Sequence, residues 1–311
     1  MKKLFLKLII LSLIITAVLV LILLLPPTKY FKNNTNLFAQ TDKNVLMRDV
    51  PSPRIIFIGG SNISFSLNSQ MIKDSLKLNP INTGIHASLG LKYMLRNSLH
   101  YIKEGDIVVI SPEYHHFYNN SADGNIELLS VLVDVTHNVE DVDLKQMLTL
   151  SKFVPEYAAS KLKIWQYFYP ADTVTLNEVG RNSFNKYGDA CVHWKLPRPN
   201  TYFSYDVGHT LNSEMFDVLN DYRRTLAEKK ALLYITFPAF EEKCCMKNIV
   251  QIKIIEKQLK DRGYNVIGSP ERYKVNDSLI FRTAYHLTKT GVDRRTALLI
   301  EDLKGVIRVN N

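Results

Sequence analysis

The chain has 311 residues and a formal charge of +9, from 39 Lys and Arg against 30 Asp and Glu, with 46% of its residues apolar and 22% charged. That balance excludes wholesale disorder, and the length suits one sizeable core or two smaller ones. The charge does not describe a polybasic nucleic-acid surface: five lysines and no acid lie in residues 1–32, which leaves only +4, with both signs interspersed, for the remainder.

Met1-Lys2-Lys3 leads into an uncharged apolar run of 18 residues, Leu8–Leu25, closed by Pro26-Pro27. Lengthened by Leu4, Phe5 and Leu6, it approaches the ~20 residues that cross a bilayer's hydrocarbon core. A cleaved signal peptide is the rival reading. Its apolar region usually runs ~7–15 residues and ends in small residues, whereas Leu-Leu-Leu-Pro-Pro offers no such site. Residues 1–27 therefore read as an uncleaved single-pass anchor. Lys2, Lys3 and Lys7 keep the N-terminus cytoplasmic and put the main domain outside. Residues 28–52 are polar, with a proline near the end, and read as a stalk.

Beyond it, from residue 53 to 311, strand-like and helix-like segments alternate. Arg54–Gly59 reads as a strand, and Leu67–Leu78 has helical spacing through Met71, Ile72, Ser75 and Leu76. Asp106–Ser111 is a short continuous apolar run, as for a strand covered on both faces. Residues 120–210 break the rhythm, with a helical stretch near 144–164, an aromatic run Trp165–Tyr169 that reads as core packing, and a polar segment. They read as a large insertion in one domain. An amphipathic segment, Met215–Lys229, precedes the strand Ala231–Phe237. Ile249–Arg262 is a helix, Asn265–Gly268 a short strand and Lys289–Leu303 the closing helix. This alternation predicts an α/β fold with a parallel, doubly wound sheet and ligands at the strands' carboxyl ends. Cys191, Cys244 and Cys245 leave two readings open: one bridge from Cys191 to the pair, or a reduced, partly buried set.

Three strand ends matter for chemistry: Gly59-Gly60-Ser61, Ser111-Pro112-Glu113 and Phe237-Pro238. A serine hydroxyl needs a base to become a nucleophile, and His286, just before the last helix, sits where a loop can fold back to Ser61. His115 and His116, adjacent on an extended chain, point to opposite faces and do not readily share a metal ion. Their loop reads as structural or substrate-contacting. Asp189 and His193 read as a capped loop, with Asp189 as N-cap.

Taken in order, Gly59-Gly60-Ser61-Asn62, the block Asn82-Thr83-Gly84-Ile85-His86-Ala87-Ser88-Leu89-Gly90, and Tyr285-His286-Leu287-Thr288-x-x-Gly291 resemble the SGNH/GDSL hydrolase superfamily. The likeness spans residues 54–304. It is nearest to membrane-anchored, extracytoplasmic members related to polysaccharide O-acetyltransferase and esterase proteins. The resemblance implies a three-layer α/β/α sandwich with a mostly parallel, flavodoxin-like sheet. It makes Ser61 the nucleophile, the N–H groups of Ser61 and Gly84 an oxyanion hole, and His286 the general base, with no metal or organic cofactor.

Two departures stand out. The family's aspartate, three or four residues before the histidine, is replaced by Thr283 and Arg282, so orientation of the ring falls to Thr283, a backbone carbonyl or Glu113. The third block, Gly-x-Asn-Asp, is absent after the Asp106–Ser111 strand, and Asn185 is the candidate replacement donor. The implied function is an acyl ester hydrolase or O-acyl (acetyl) transferase on an extracytoplasmic glycan or cell-envelope polymer. A membrane-bound O-acyltransferase is a candidate partner, and nucleic acid is not. The alternative is a degenerate glycan-binding or assembly subunit, favoured by Arg282, a cation that would lower the basicity of His286.

Overall fold

The structure, a computed structural model, describes residues 2–168 and 178–307. Helix α1 (Lys2–Leu23) has no buried residue and is long and apolar enough to cross a membrane. Its last carbonyls lack partners within the helix, and the Lys161 Nζ donates to Leu23 O at 2.8 Å and Leu25 O at 2.6 Å. A cation at this end also complements the helix dipole.

Residues 28–52 do not form a stalk. They fold as α2 (Lys29–Asn34), a 3-10 turn (Asn36–Phe38) and α3 (Ala39–Asp49), and Leu37 and Met47 join the main hydrophobic core. Composition concealed this because α3 is held partly by a polar anchor. The buried Lys43 Nζ donates to Asn82 O at 2.8 Å and to Gly188 O, and lies 4.2 Å over the Phe184 ring.

The sheet begins with β1 (Arg54–Ile58), followed by α4 (Ser61–Ser64), α5 (Ser69–Leu76), β2 (Asn79–Asn82), α6 (Leu91–Leu99) and β3 (Ile107–Ile110). A long excursion carries α7 (Ile126–Val131), α8 (Leu144–Ser151) and α9 (Val154–Lys161) before α10 (Glu214–Glu228) returns the chain to β4 (Leu232–Thr236). Then come β5 (Phe240–Glu241), α11 (Glu242–Lys247), α12 (Ile249–Asp261), β6 (Val266–Ile267), β7 (Lys274–Val275), β8 (Ile280–Phe281), β9 (Thr283–Leu287) and α13 (Lys289–Lys304). Five strands pair in parallel in the order β2-β1-β3-β4-β6, with Ile55 opposite Ile107 and Ile107 opposite Leu232. Strands β5 and β7 pair in parallel and β8 and β9 antiparallel, outside that sheet.

Every residue of β1 and β3 is buried, which is why Ile55–Ile58 and Ile107–Ile110 are unbroken apolar runs. Strand β2 escaped the sequence reading because Asn79-Pro80-Ile81-Asn82 looks like a turn. A proline lacking its N–H is tolerated at a sheet edge, and β2 is the edge strand. The chain winds from β1 outward to β2 on one side and to β3, β4 and β6 on the other. The gap between the carboxyl ends of β1 and β3 is thus the topological switch point, where open parallel sheets bind ligands.

At the opposite, amino end of the same two strands, Arg54 is fully buried. Its Nε donates to Asp106 Oδ1 at 2.8 Å, its Nη2 to Asp106 Oδ2 and to Tyr101 O at 2.9 Å, and its Nη1 to Met47 O. The aromatic run from Trp165 is not core packing: Trp165, Tyr167 and Phe168 are exposed, and Tyr169 lies outside the described residues. The three cysteines are unbridged, with Cys244 and Cys245 buried.

Candidate functional site

The two glycines after β1 are explained by close approach. A Cβ on Gly59 would stand 2.6 Å from Ser111 O, and one on Gly60 would stand 2.7 Å from Ala87 Cα and 2.8 Å from Glu113 Oε1. All three gaps are shorter than carbon and oxygen atoms tolerate, so only glycine lets β3's following loop close on the turn. Ser61, half-buried, opens α4 directly after them.

The loop that closes on it carries Glu113. The Ser61 Oγ donates to Glu113 Oε1 at 3.3 Å, and the Asn62 N–H donates to the same oxygen at 3.1 Å. Glu113 is 1% exposed. Among the described residues no lysine or arginine pairs with it. His115 Nδ1 lies 3.7 Å from Glu113 Oε2, and burial pushes that imidazole well below its usual range, so it is neutral. Burial raises the Glu113 carboxyl to about 7, against the opposing pull of the Asn62 N–H and the Ser61 hydroxyl. Tyr205 and Tyr285, whose rings lie 5.3 Å apart, form part of the surrounding aromatic wall, and Phe240 stacks on Tyr285 at 4.4 Å. A carboxyl titrating near neutrality beside a hydroxyl is placed to take and return its proton.

His286 lies on β9 and stacks on Phe65, ring centroids 4.2 Å apart and planes within 9°. Phe65 ends α4, four residues after Ser61, so the histidine borders the Ser61 turn. No hydrogen bond joins Ser61 to His286 among the described residues; the serine hydroxyl turns to Glu113 instead. Burial, then His193, His86 and Arg282, lower the imidazole to about 3. The acid's usual position is filled otherwise. Arg282 sits at the irregularity between β8 and β9 with φ +58° and pairs with Glu178. Thr283 Oγ1 accepts from the Tyr285 N–H at 3.4 Å, not from His286. Asp293 is engaged by Asn68 Nδ2 at 2.9 Å.

The expected oxyanion donors divide. The Ser61 N–H has no acceptor among the described residues. The Gly84 N–H donates to Asn82 Oδ1 at 3.0 Å, so in this arrangement it is not a free donor. Asn185 is likewise committed. Its Nδ2 donates to Asp189 Oδ2 at 3.0 Å, and its Oδ1 accepts from the Tyr187 and Asp189 N–H groups at 2.9 and 3.0 Å. Asp189, fully buried, accepts from the Ser69 N–H at 2.8 Å, Ser69 Oγ at 2.7 Å and Asn82 Nδ2 at 2.9 Å. It therefore caps the distant helix α5 rather than its own loop. His193 Nε2 lies 3.0 Å from Leu287 O, an ordinary structural bond.

His115 and His116 are on a 3-10 turn, not an extended segment, and their ring centroids approach to 4.6 Å. His116 Nε2 is bonded to Ala87 O at 3.0 Å. Among the described residues no three His, Cys, Asp or Glu side chains converge as metal ligands. The sequence alone did not bring Tyr205, Tyr285 and His115 together around Glu113. The usable signal was the position of Glu113, three residues past a buried strand that neighbours β1. No known protein-family model matches the chain, and no curated protein matches it.

Proposed function

We propose that the protein is a serine-dependent acyl ester hydrolase or O-acyl (acetyl) transferase, anchored by α1 and acting on an extracytoplasmic glycan or cell-envelope polymer. The observation that carries this reading is the Ser61 hydroxyl on a buried, near-neutral Glu113 at the switch point of a parallel sheet. In the same reading the helices on the two sheet faces make a three-layer sandwich, and the N-terminus stays cytoplasmic.

Ionised Glu113 accepts the Ser61 proton as Oγ bonds to the acyl carbon, and the carbonyl π electrons move onto oxygen, facing the Ser61 N–H. Collapse of that adduct breaks the bond to the leaving alcohol, which receives the proton from Glu113. The acyl-serine then passes its acyl group to water or to a sugar hydroxyl by the reverse proton path. His286, neutral in this environment, lines the turn through Phe65 and offers a hydrogen-bond acceptor to a bound hydroxyl.

A fluorophosphonate probe tests this assignment. Labelling of the wild type that disappears in Ser61→Ala, falls ~10²–10⁴-fold in Glu113→Gln and rises with pH through about 7 is the expected result. A fall of that size in His286→Ala, with Glu113→Gln nearly normal, would return the base role to the histidine. The absence of labelling in folded wild-type protein would sink the enzyme reading. That last outcome is the prediction of the second reading, a non-catalytic glycan-binding or assembly subunit beside a membrane acyltransferase. The occupied Gly84 N–H and the unbonded Ser61–His286 pair favour it.

A further inference from the structure

The exit of α1 is not bare. Tyr167 Oη donates to Pro26 O at 3.0 Å, and Lys161, joined to Asp134 Oδ1 at 2.7 Å, holds the carbonyls of Leu23 and Leu25. These bonds fix the segment after α9 beside the point where the apolar run ends. That segment is apolar and uncovered: Leu162 is 48% exposed, Ile164 62%, Trp165 61% and Phe168 81%. A 3-10 turn, Ile164–Tyr167, presents them, and α2 packs against it. Scattered single apolar residues on a surface need no partner, but four within seven residues, including a tryptophan and a phenylalanine, form a patch.

Lys29 and Lys32 on α2 and Lys163 in the segment itself carry no ion pair among the described residues. A water-facing site does not account for this composition; a lipid interface does. Tryptophan and tyrosine collect at the headgroup level, phenylalanine and isoleucine dip into the acyl boundary, and unpaired lysines meet anionic phosphates.

We propose that Leu162–Phe168 is an interfacial anchor, seated in the headgroup–acyl boundary of the leaflet from which α1 emerges, with anionic lipid as its partner. The inference rests on α1 spanning a bilayer, and it adds a second attachment that stops the domain from swivelling about that single helix. The two contacts are joined by hydrogen bonds, so the depth of the patch is tied to the depth of Pro26.

The two tryptophans give the test. The full chain is reconstituted in phosphatidylcholine–phosphatidylglycerol vesicles, with lipid brominated near the headgroup end of its acyl chains as quencher. Trp194 Nε1 is buried and its ring lies 5.0 Å under Lys289 Nζ, so it serves as the internal reference. Trp165 is read from Trp194→Phe, and independently from the difference between wild type and Trp165→Phe, so one poorly folded variant does not decide the result. Strong quenching of Trp165, as for an aromatic seated at the headgroup level, with Trp194 nearly unquenched and less quenching when phosphatidylglycerol is omitted, is the expected result. Protein that floats with the vesicles and resists alkaline extraction, yet shows no quenching of Trp165, overturns the anchor while leaving the span intact. Protein that does not float at all overturns the span and the anchor with it. Neither outcome bears on Ser61 labelling, so the catalytic reading stands or falls separately.

Discussion

At the amino end of the sheet the buried Arg54 guanidinium directs its donors to Asp106, Met47 and Tyr101, whereas at the carboxyl end the buried Glu113 carboxyl meets one amide, one hydroxyl and a neutral imidazole. Arg54 opens β1 and Glu113 lies on the loop after β3, at opposite ends of the sheet. Desolvation acts on both, but only the first is offset by an opposite charge. A saturated buried ion has nothing left to offer a substrate. A buried carboxyl without a cation keeps its proton to higher pH and remains available for exchange, which is the arrangement that marks reactive sites.

Removing one partner at the amino end should have the largest effect. Asp106→Ala strands a buried guanidinium, and the expected loss is ~3–5 kcal/mol in chemical denaturation; a loss under about 1 kcal/mol would mean that water reaches Arg54 and the contrast is false. The carboxyl end should respond with the opposite sign. Because the folded-state pKa of Glu113 is raised from 4.5 to about 7, the fold holds this proton more tightly than the unfolded chain does. Stability is then fullest below the unfolded value and falls as pH rises to about 7, by up to ~3 kcal/mol. Glu113→Gln keeps the hydrogen-bond acceptor and cannot ionise, so it should be more stable than wild type at pH 8 and no more stable at pH 4. Equal denaturation midpoints at both pH values would show Glu113 to be solvated.

Gly60→Ala sharpens the same contrast. Its Cβ would meet the Ala87 backbone and Glu113 Oε1, so it should cost ~1–3 kcal/mol and slow Ser61 labelling, as pH titrations of the labelling rate would reveal. Arg282→Ala should do least. Arg282 lowers His286 less than burial and the neighbouring histidines do and is itself largely exposed, so a small upward shift in the imidazole titration by NMR is expected, with labelling unchanged.

Much of the sheet could be read from the chain because β1, β3 and β4 are short apolar runs and α10, α12 and α13 carry helical spacing. Strand β2 and helix α3 could not. Pro80 is permitted only because β2 is an edge, and Lys43 is buried only because the carbonyls of Asn82 and Gly188 converge on it. Neither fact is local to its own segment. The site divides similarly. Ser61 and Glu113 were visible as residues following strand ends, but their partnership depends on β1 and β3 being neighbours, with a glycine where Glu113 enters. His286 was visible by its motif alone, and a motif does not report that the Ser61 hydroxyl turns toward Glu113. The exposed Trp165 and Phe168 looked like core because composition does not distinguish a buried aromatic from one that faces lipid.

The folding of residues 28–52 against the domain has a consequence for reach. Twenty-five flexible residues would give a leash with a root-mean-square span of roughly 25–30 Å, and Ser61 would sample a volume above its attachment point. Lys161, which holds the chain just before the segment, and Lys43, buried within α3, remove that slack. The height and heading of Ser61 relative to the end of α1 are therefore constants of the fold.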